Sequence, residues 1–182
     1  MNGMKKMENG LPYKCDSSIQ KAQFPIKILV RMYNKTMPFN IPRYRLILKA
    51  MGIEYKGQIH IEPPFRCEYG KHIEIGSNFY ANSGCIMLDA GRITIGNDVL
   101  LGPHVYLFTS GHPMYPAERA EGYEISKPIT IGDNVWIGGN TVVCAGVTIG
   151  KNSVIGAGSV VTRDIPENVF AAGNPCKVIK EI

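Results

Sequence analysis

Six aliphatic residues recur at a strict interval of six: Ile131, Ile137, Val143, Ile149, Ile155 and Val161. A glycine follows the anchor at Gly132, Gly138, Gly150 and Gly156, and a small or β-branched residue stands four after it at Val135, Thr141, Val147, Ser153 and Ser159. The same register surfaces earlier as Ile95-Gly96 with Val99, and as Leu101-Gly102 with Val105. Ordinary strand alternation has a period of two, which a period of six also satisfies. Alternation alone does not lock glycine and small residues in phase over successive units. A fixed short period of this kind specifies a solenoid, here the hexapeptide form of a parallel β-helix. Each six-residue unit is one short strand plus a turn, and three units close a triangular coil. The anchors then point inward and stack. Each glycine is expected at a corner whose backbone conformation side chains resist, and each small residue where neighbouring coils approach closely.

Composition agrees with one compact chain. A length of 182 residues suits one domain with a smaller appendage, and a hydrophobic fraction of 45% supplies a sizeable core. The net charge of +5 admits an anionic ligand, but no basic stripe interleaved with aromatics is present, so nucleic-acid binding is not expected. The five cysteines, Cys15, Cys67, Cys85, Cys144 and Cys176, are odd in number, scattered and include no CxxC. Neither a disulfide framework nor a zinc site is suggested, and a reducing cytoplasm is the expected setting. The longest apolar candidate in the first thirty residues, Ile26 to Val30, is broken by Lys27, so neither a signal peptide nor a membrane span is expected.

Residues 1–56 differ from the rest. Ile26, Leu29, Val30 and Tyr33 follow helical spacing, as do Tyr44, Ile47, Leu48 and Met51, and Pro38 and Pro42 break the stretch between them. Two short helices are predicted. Lys21, Lys27, Arg31, Lys35, Arg43, Arg45, Lys49 and Lys56 crowd here against Glu54, which reads first as a solvated helix face and otherwise as contact with an anionic surface or substrate. The β-helix is expected over 57–163, with Ile73-Glu74-Ile75-Gly76 as its first clear strand and corner and a loop extruded over 108–128. The tail, 164–182, leaves the repeat with Pro166 and Pro175 and is expected to fold back as a cap on the last coil.

The interruption between Leu107 and Ile129 is where chemistry should be sought, because functional residues favour loops held by a rigid scaffold. It contains Thr109-Ser110-Gly111-His112-Pro113. Gly111 and Pro113 shape the backbone around His112, and an imidazole titrating near neutrality takes a proton from a hydroxyl as that hydroxyl attacks an electrophile. His60, His72 and His104 have no comparable setting.

The hexapeptide run resembles the maltose and galactoside O-acetyltransferase family when taken with five further segments. These are Asn78 to Asn82, Thr109 to Pro113, Lys127 through Trp136 to Gly139, Gly156 to Thr162, and Ala172-Gly173-Asn174-Pro175-Cys176. The resemblance runs from about Ile61 to Ile182. It implies a left-handed β-helix, a homotrimer, and acetyl transfer from acetyl-CoA to a sugar hydroxyl with no metal. His112 matches the catalytic base, and Asn82 an asparagine beside the acetyl carbonyl, where an amide donor stabilises developing negative charge. Asp16, with Tyr13, resembles residues lining the acceptor site, and Tyr80 and Asp89 match positions near the acceptor. Trp136 matches a tryptophan packed against the cofactor channel, and Gly139 a position that is serine in some relatives, so that only its backbone N–H contact transfers. Ala157, Thr162 and Arg163 match positions along the coenzyme. Lys177 and Lys180 match arginines near its phosphates, keeping the charge but not the bidentate geometry.

No cysteine or serine is evidently paired with His112 as a nucleophile, so direct transfer is expected rather than a covalent acetyl-enzyme. Two other readings stay open: an acetyltransferase for a non-sugar hydroxyl, as on an antibiotic or amino acid, and a non-catalytic hexapeptide scaffold. The scaffold would have no need for His112, Asn82 and the tail lysines together.

Overall fold

In the computed structural model, which describes residues 1–182, the chain winds into a left-handed parallel β-helix of about six turns. Its strands lie on three faces. Face 1 carries Glu54–Tyr55, Ile73–Ile75, Ile93–Ile95, Ile129–Ile131 and Thr148–Ile149. Face 2 carries Ile59–Ile61, Phe79–Ala81, Leu100–Leu101, Trp136–Ile137, Val154–Ile155 and Val169–Ala172. Face 3 carries Arg66–Cys67, Ile86–Leu88, Tyr106–Phe108, Val142–Val143 and Val160–Val161. The first strand of the solenoid, Glu54–Tyr55, precedes the first strand legible in the sequence by one full turn, since it pairs with Glu74 and Ile75.

The anchors stack as the repeat requires. Ile131 lies between Ile95 and Ile149, Ile137 between Leu101 and Ile155, and Val143 between Leu107 and Val161. All are buried in one continuous core, and each such aliphatic side chain contributes about 2 kcal/mol when taken from water. The small positions are buried too. Their hydroxyls are satisfied by corner carbonyls: Thr141 Oγ1 donates to Gly138 O at 2.7 Å, and Ser153 Oγ to Pro166 O at 2.8 Å.

The glycines act differently from expectation. A Cβ at Gly132 would lie 2.6 Å from the Lys151 nitrogen, and one at Gly76 would lie 2.5 Å from the Gly96 oxygen, yet neither glycine has a positive φ. They are excluded volume, placed where one coil passes over the next. The left-handed corner conformation falls two residues later. There Asn78, Asp98, Asn134, Asn140 and Asn152 adopt φ between 55° and 59°, which short Asn and Asp side chains tolerate. Those side chains also bond from coil to coil, Asn134 Nδ2 to Asn152 Oδ1 at 3.1 Å and Asn152 Nδ2 to Asn168 Oδ1 at 2.8 Å.

Three helices precede the solenoid rather than two: α1 (Gly3–Glu8), α2 (Ser17–Asn34) and α3 (Ile41–Ala50). α2 is long because Asp16 caps it, accepting from the Ser18 and Ile19 N–H groups. Pro42 starts α3, standing in its first turn where the missing N–H costs nothing. Ile26, Tyr33, Ile47, Leu48 and Met51 close the base of the core, and Tyr33 Oη donates to Ile61 O at 2.6 Å. No helix is long and apolar enough to cross a membrane. At the other end, Lys177–Glu181 pairs antiparallel with Val169–Ala172, so the tail continues face 2.

Candidate functional site

The loop after Tyr106–Phe108 is braced rather than free. Ser110–Gly111 pairs antiparallel with Tyr123–Ser126, which in turn pairs with Tyr13–Lys14 from the N-terminal region. A short helix, α4 (Pro116–Ala120), forms the tip, and Arg119 donates to the Pro113 and Met114 carbonyls. Lys14 Nζ sits 4.4 Å above the Tyr123 ring, and Tyr13 is buried with its phenol pushed above its ordinary range by that burial and by Glu124. His112 follows the paired Gly111 directly. Its Nδ1 lies 3.2 Å from the Tyr123 carbonyl oxygen. A carbonyl only accepts, so Nδ1 carries the proton and the lone pair of Nε2 remains for an incoming hydroxyl. The imidazole is exposed on the single chain.

A second locus lies on face 2. A groove of about 440 Å³ is walled by Tyr80, Leu100, Trp136 and Phe170, and floored at its corner by Asn82, Gly139 and Ala157. Successive outward residues of neighbouring strands build it, because Tyr80 is in register with Leu100, Leu100 with Trp136, Trp136 with Val154, and Val154 with Phe170. Trp136 is 54% exposed, a large apolar area awaiting cover. The corner is narrow: a Cβ at Gly102 would meet the Gly139 nitrogen at 2.5 Å. Asn82 Oδ1 accepts the Ser83 N–H at 2.8 Å, which leaves the Nδ2 donor free. Tyr80 stacks on His60, with ring centroids 5.5 Å apart and planes 3° from parallel, and His60 Nε2 meets Glu62 Oε1 at 2.7 Å. His60 was not among the expected site residues. Its register position one coil below Tyr80, two residues from an acid, was the available signal.

The candidate residues therefore fall into two groups. Tyr80, Asn82, Trp136, Gly139 and Ala157 gather on face 2 and its corner with face 3, with Lys177 and Lys180 on the strand beside Ala172 and Phe170 at the C-terminal end of that face. His112, Thr162 and Arg163 stand across face 3, on the corner that leads to face 1. Asp89 occupies that second corner but is fully buried, its Oδ1 accepting the Glu68 and Tyr69 N–H groups at 2.8 and 3.0 Å. Burial holds its carboxyl above the usual range, and Oδ2 has no partner. Asp16 caps α2 two residues after Tyr13–Lys14, the strand that pairs with the Tyr123–Ser126 ribbon bracing His112. It accepts from Gly3 N and Ser18 N, and its carboxyl is pulled down to about 2, first by the Ser18 hydroxyl and then by the Gly3 N–H. A larger depression of about 760 Å³, between Lys49, Glu54, Lys56 and Glu74 at the base of face 1, contains none of the candidates.

Residues 128–163 match the family model described as bacterial transferase hexapeptide (six repeats). The galactoside O-acetyltransferase of Escherichia coli is 47% identical over 86% of this chain and 77% of its own length. Among solved structures, a maltose O-acetyltransferase from Clostridium difficile 630 superposes with a TM-score of 0.96 at 45% identity, covering 100% of this chain and 98% of that one. A galactoside acetyltransferase in complex with coenzyme A gives a TM-score of 0.92 at 41% identity, covering 100% and 92%. With the fold and the repeat in agreement with these relatives, the chain belongs to the hexapeptide-repeat acetyltransferases of the galactoside and maltose O-acetyltransferase type.

Proposed function

We propose that the protein transfers an acetyl group from acetyl-CoA to a hydroxyl of a sugar or saccharide, at sites formed between neighbouring copies of a homotrimer. The observation that carries this reading is the separation of the two candidate groups by the whole width of face 3. A groove with an amide donor and an exposed indole lacks a base, and the base lacks a groove; a second chain supplies each with the other. The outward residues support a threefold packing. Face 3 presents Ile86, Tyr106, Val142 and Val160 in register, and face 2 presents the groove aromatics, whereas face 1 presents Glu74, Thr94, Thr130 and Thr148. Two apolar faces per chain close in a ring while the polar face stays in water.

The acyl donor lies along face 2 in this reading. The relative solved with coenzyme A supports a coenzyme A thioester as donor, and the shape of the groove and the position of Lys177 and Lys180 at its C-terminal end, suited to phosphates, support this placement. The pantetheine arm runs past Trp136 and over the Gly139 corner, where the backbone N–H of Gly139 is the contact on offer. His112 Nε2 takes the proton from the sugar hydroxyl as that oxygen attacks the thioester carbonyl. The Asn82 Nδ2 donor holds the developing oxyanion, and the imidazolium returns its proton to the departing thiolate, so atoms and charge balance without a covalent enzyme intermediate. The acceptor rests against Tyr80, whose stacking on His60 fixes its ring as a platform. The test is a panel of mono- and oligosaccharides, with antibiotic and amino-acid hydroxyls, offered with acetyl-CoA and followed by thiol release. Turnover on a saccharide is expected, and turnover only on non-sugar hydroxyls would overturn the acceptor class.

A further inference from the structure

The outward side of the N-terminal helices serves neither the core nor the groove. On α2, Ile19, Ile26 and Tyr33 are buried, and the opposite stripe at i, i+4 and i+8 carries Phe24, Ile28 and Met32, all exposed. Phe24 is 67% accessible, as is Leu46 on the outer side of α3. In the turn between the helices Phe39 is 93% accessible and sits at φ 63, a conformation a bulky side chain rarely adopts. Single exposed apolar residues need no explanation, but several large ones at one end of a molecule do.

The charge at this end is as one-sided as its hydrophobicity. Between residues 17 and 56 stand eight lysines and arginines and one acid, Glu54, and none of the eight is ion-paired. A groove of about 470 Å³ brings Lys27, Arg31 and Lys35 of α2 together with Arg43 of α3, beside Ile28 and Met32. Cations interleaved with exposed apolar side chains on a helix face are the pattern of an interfacial helix, in which the apolar groups enter the boundary between headgroups and acyl chains while the cations meet phosphates. A second copy of this surface is a poor occupant, since it would bring two sets of like charge together. A purely polyelectrolyte partner leaves Phe24, Phe39 and Leu46 without a role.

We infer that this basal surface docks the protein on an anionic lipid bilayer, with Phe24, Phe39 and Leu46 inserted and the Lys27, Arg31, Lys35 and Arg43 groove holding lipid phosphate. The inference does not depend on the transferase reading. It is tested by co-sedimentation of the full chain with phosphatidylcholine vesicles containing about 30% phosphatidylglycerol, against phosphatidylcholine alone. Binding is expected only to the anionic vesicles, and it should weaken at least about tenfold when salt rises from about 0.1 to about 0.5 M. Phe39→Ser with Leu46→Ser should weaken it about tenfold at low salt, and Lys27→Gln, Arg31→Gln, Lys35→Gln and Arg43→Gln together about a hundredfold. Because these side chains are exposed and unpaired, both variants should keep the wild-type Tm and thiol-release rate, which separates lost docking from lost folding. Failure to bind anionic vesicles above the phosphatidylcholine level would overturn the proposal. So would binding that survives the Phe39 and Leu46 substitutions and is competed away by an RNA homopolymer of equal charge.

Discussion

Replacing Gly132 with Ala tests what the glycine of the hexapeptide does. The added Cβ would lie 2.6 Å from the Lys151 nitrogen and 2.9 Å from its Cα, about 0.8 Å inside the 3.4 Å at which ordinary contact begins. Both neighbours are backbone, so no side chain swings aside, and the coils must part where Gly132 N donates to Ile149 O at 2.8 Å. Stretching that bond by most of an ångström, with the stacked Ile131 and Ile149 displaced, is an overpacking cost of about 2–3 kcal/mol. For a chain of this size that lowers Tm by about 4–12 °C. Asn134→Gly is the matched comparison at the same corner. It keeps the left-handed backbone, loses only the side-chain bond to Asn152, and should shift Tm by less than about 2 °C. Circular-dichroism melting of both variants at one protein concentration decides the matter. If Gly132→Ala melts with wild type, or Asn134→Gly is the worse of the two, close approach is not why the repeat carries glycine.

Other perturbations have equally direct readings. His112→Asn should lower kcat by about two to four powers of ten with the KM for acetyl-CoA nearly unchanged; near-normal turnover would remove the base assignment. Asn82→Ala should cost about ten- to several-hundredfold in kcat, and an effect confined to the acceptor KM would reassign it to sugar binding. Lys177→Glu with Lys180→Glu should raise the acetyl-CoA KM and leave kcat little changed, more so at low salt; wild-type kinetics would make these lysines simple solubilisers. Asp89 gives a pH signature. Burial holds its carboxyl above the unfolded value, so the folded state binds the proton more tightly, and stability falls as pH climbs from the ordinary aspartate range toward the raised value, flattening above it. Asp89→Asn keeps an acceptor for the Glu68 and Tyr69 N–H groups and removes that titration. Denaturant midpoints across the window should then slope less steeply than in wild type, and an unchanged slope would mean Asp89 does not set it.

The solenoid was legible because its signal repeats: Ile131, Ile137 and Val143 report the same inward direction on three successive faces, and each stacks as the period requires. Why glycine follows the anchor was not, because a residue that needs φ above zero and one that must lack a Cβ look alike in a sequence. The solenoid's first strand, Glu54–Tyr55, falls just before the expected 57–163, because its outward and inward residues carry no glycine in phase. At the site, Trp136, Gly139 and Asn82 were singled out through the family resemblance and not by the repeat itself. The bracing of His112 by Tyr123, and of Tyr123–Ser126 by Tyr13–Lys14, was not legible, since that ribbon joins segments more than a hundred residues apart through antiparallel pairs with no repeat to announce them. Nor could spacing alone show that His112 and Asn82 leave opposite edges of one face.

That separation is the core of the account, and mixing two crippled variants measures it. Chains carrying His112→Asn and chains carrying Asn82→Ala, each nearly inactive alone, are co-expressed in equal amounts and assayed as the purified mixture. If each site takes His112 from one chain and Asn82 from its neighbour, random threefold assembly leaves about a quarter of the sites with both residues intact, and thiol release should recover to about a quarter of wild type. If one chain holds the whole site, every site carries one lesion. Activity no greater than that of the two variants assayed apart would then contradict the shared site.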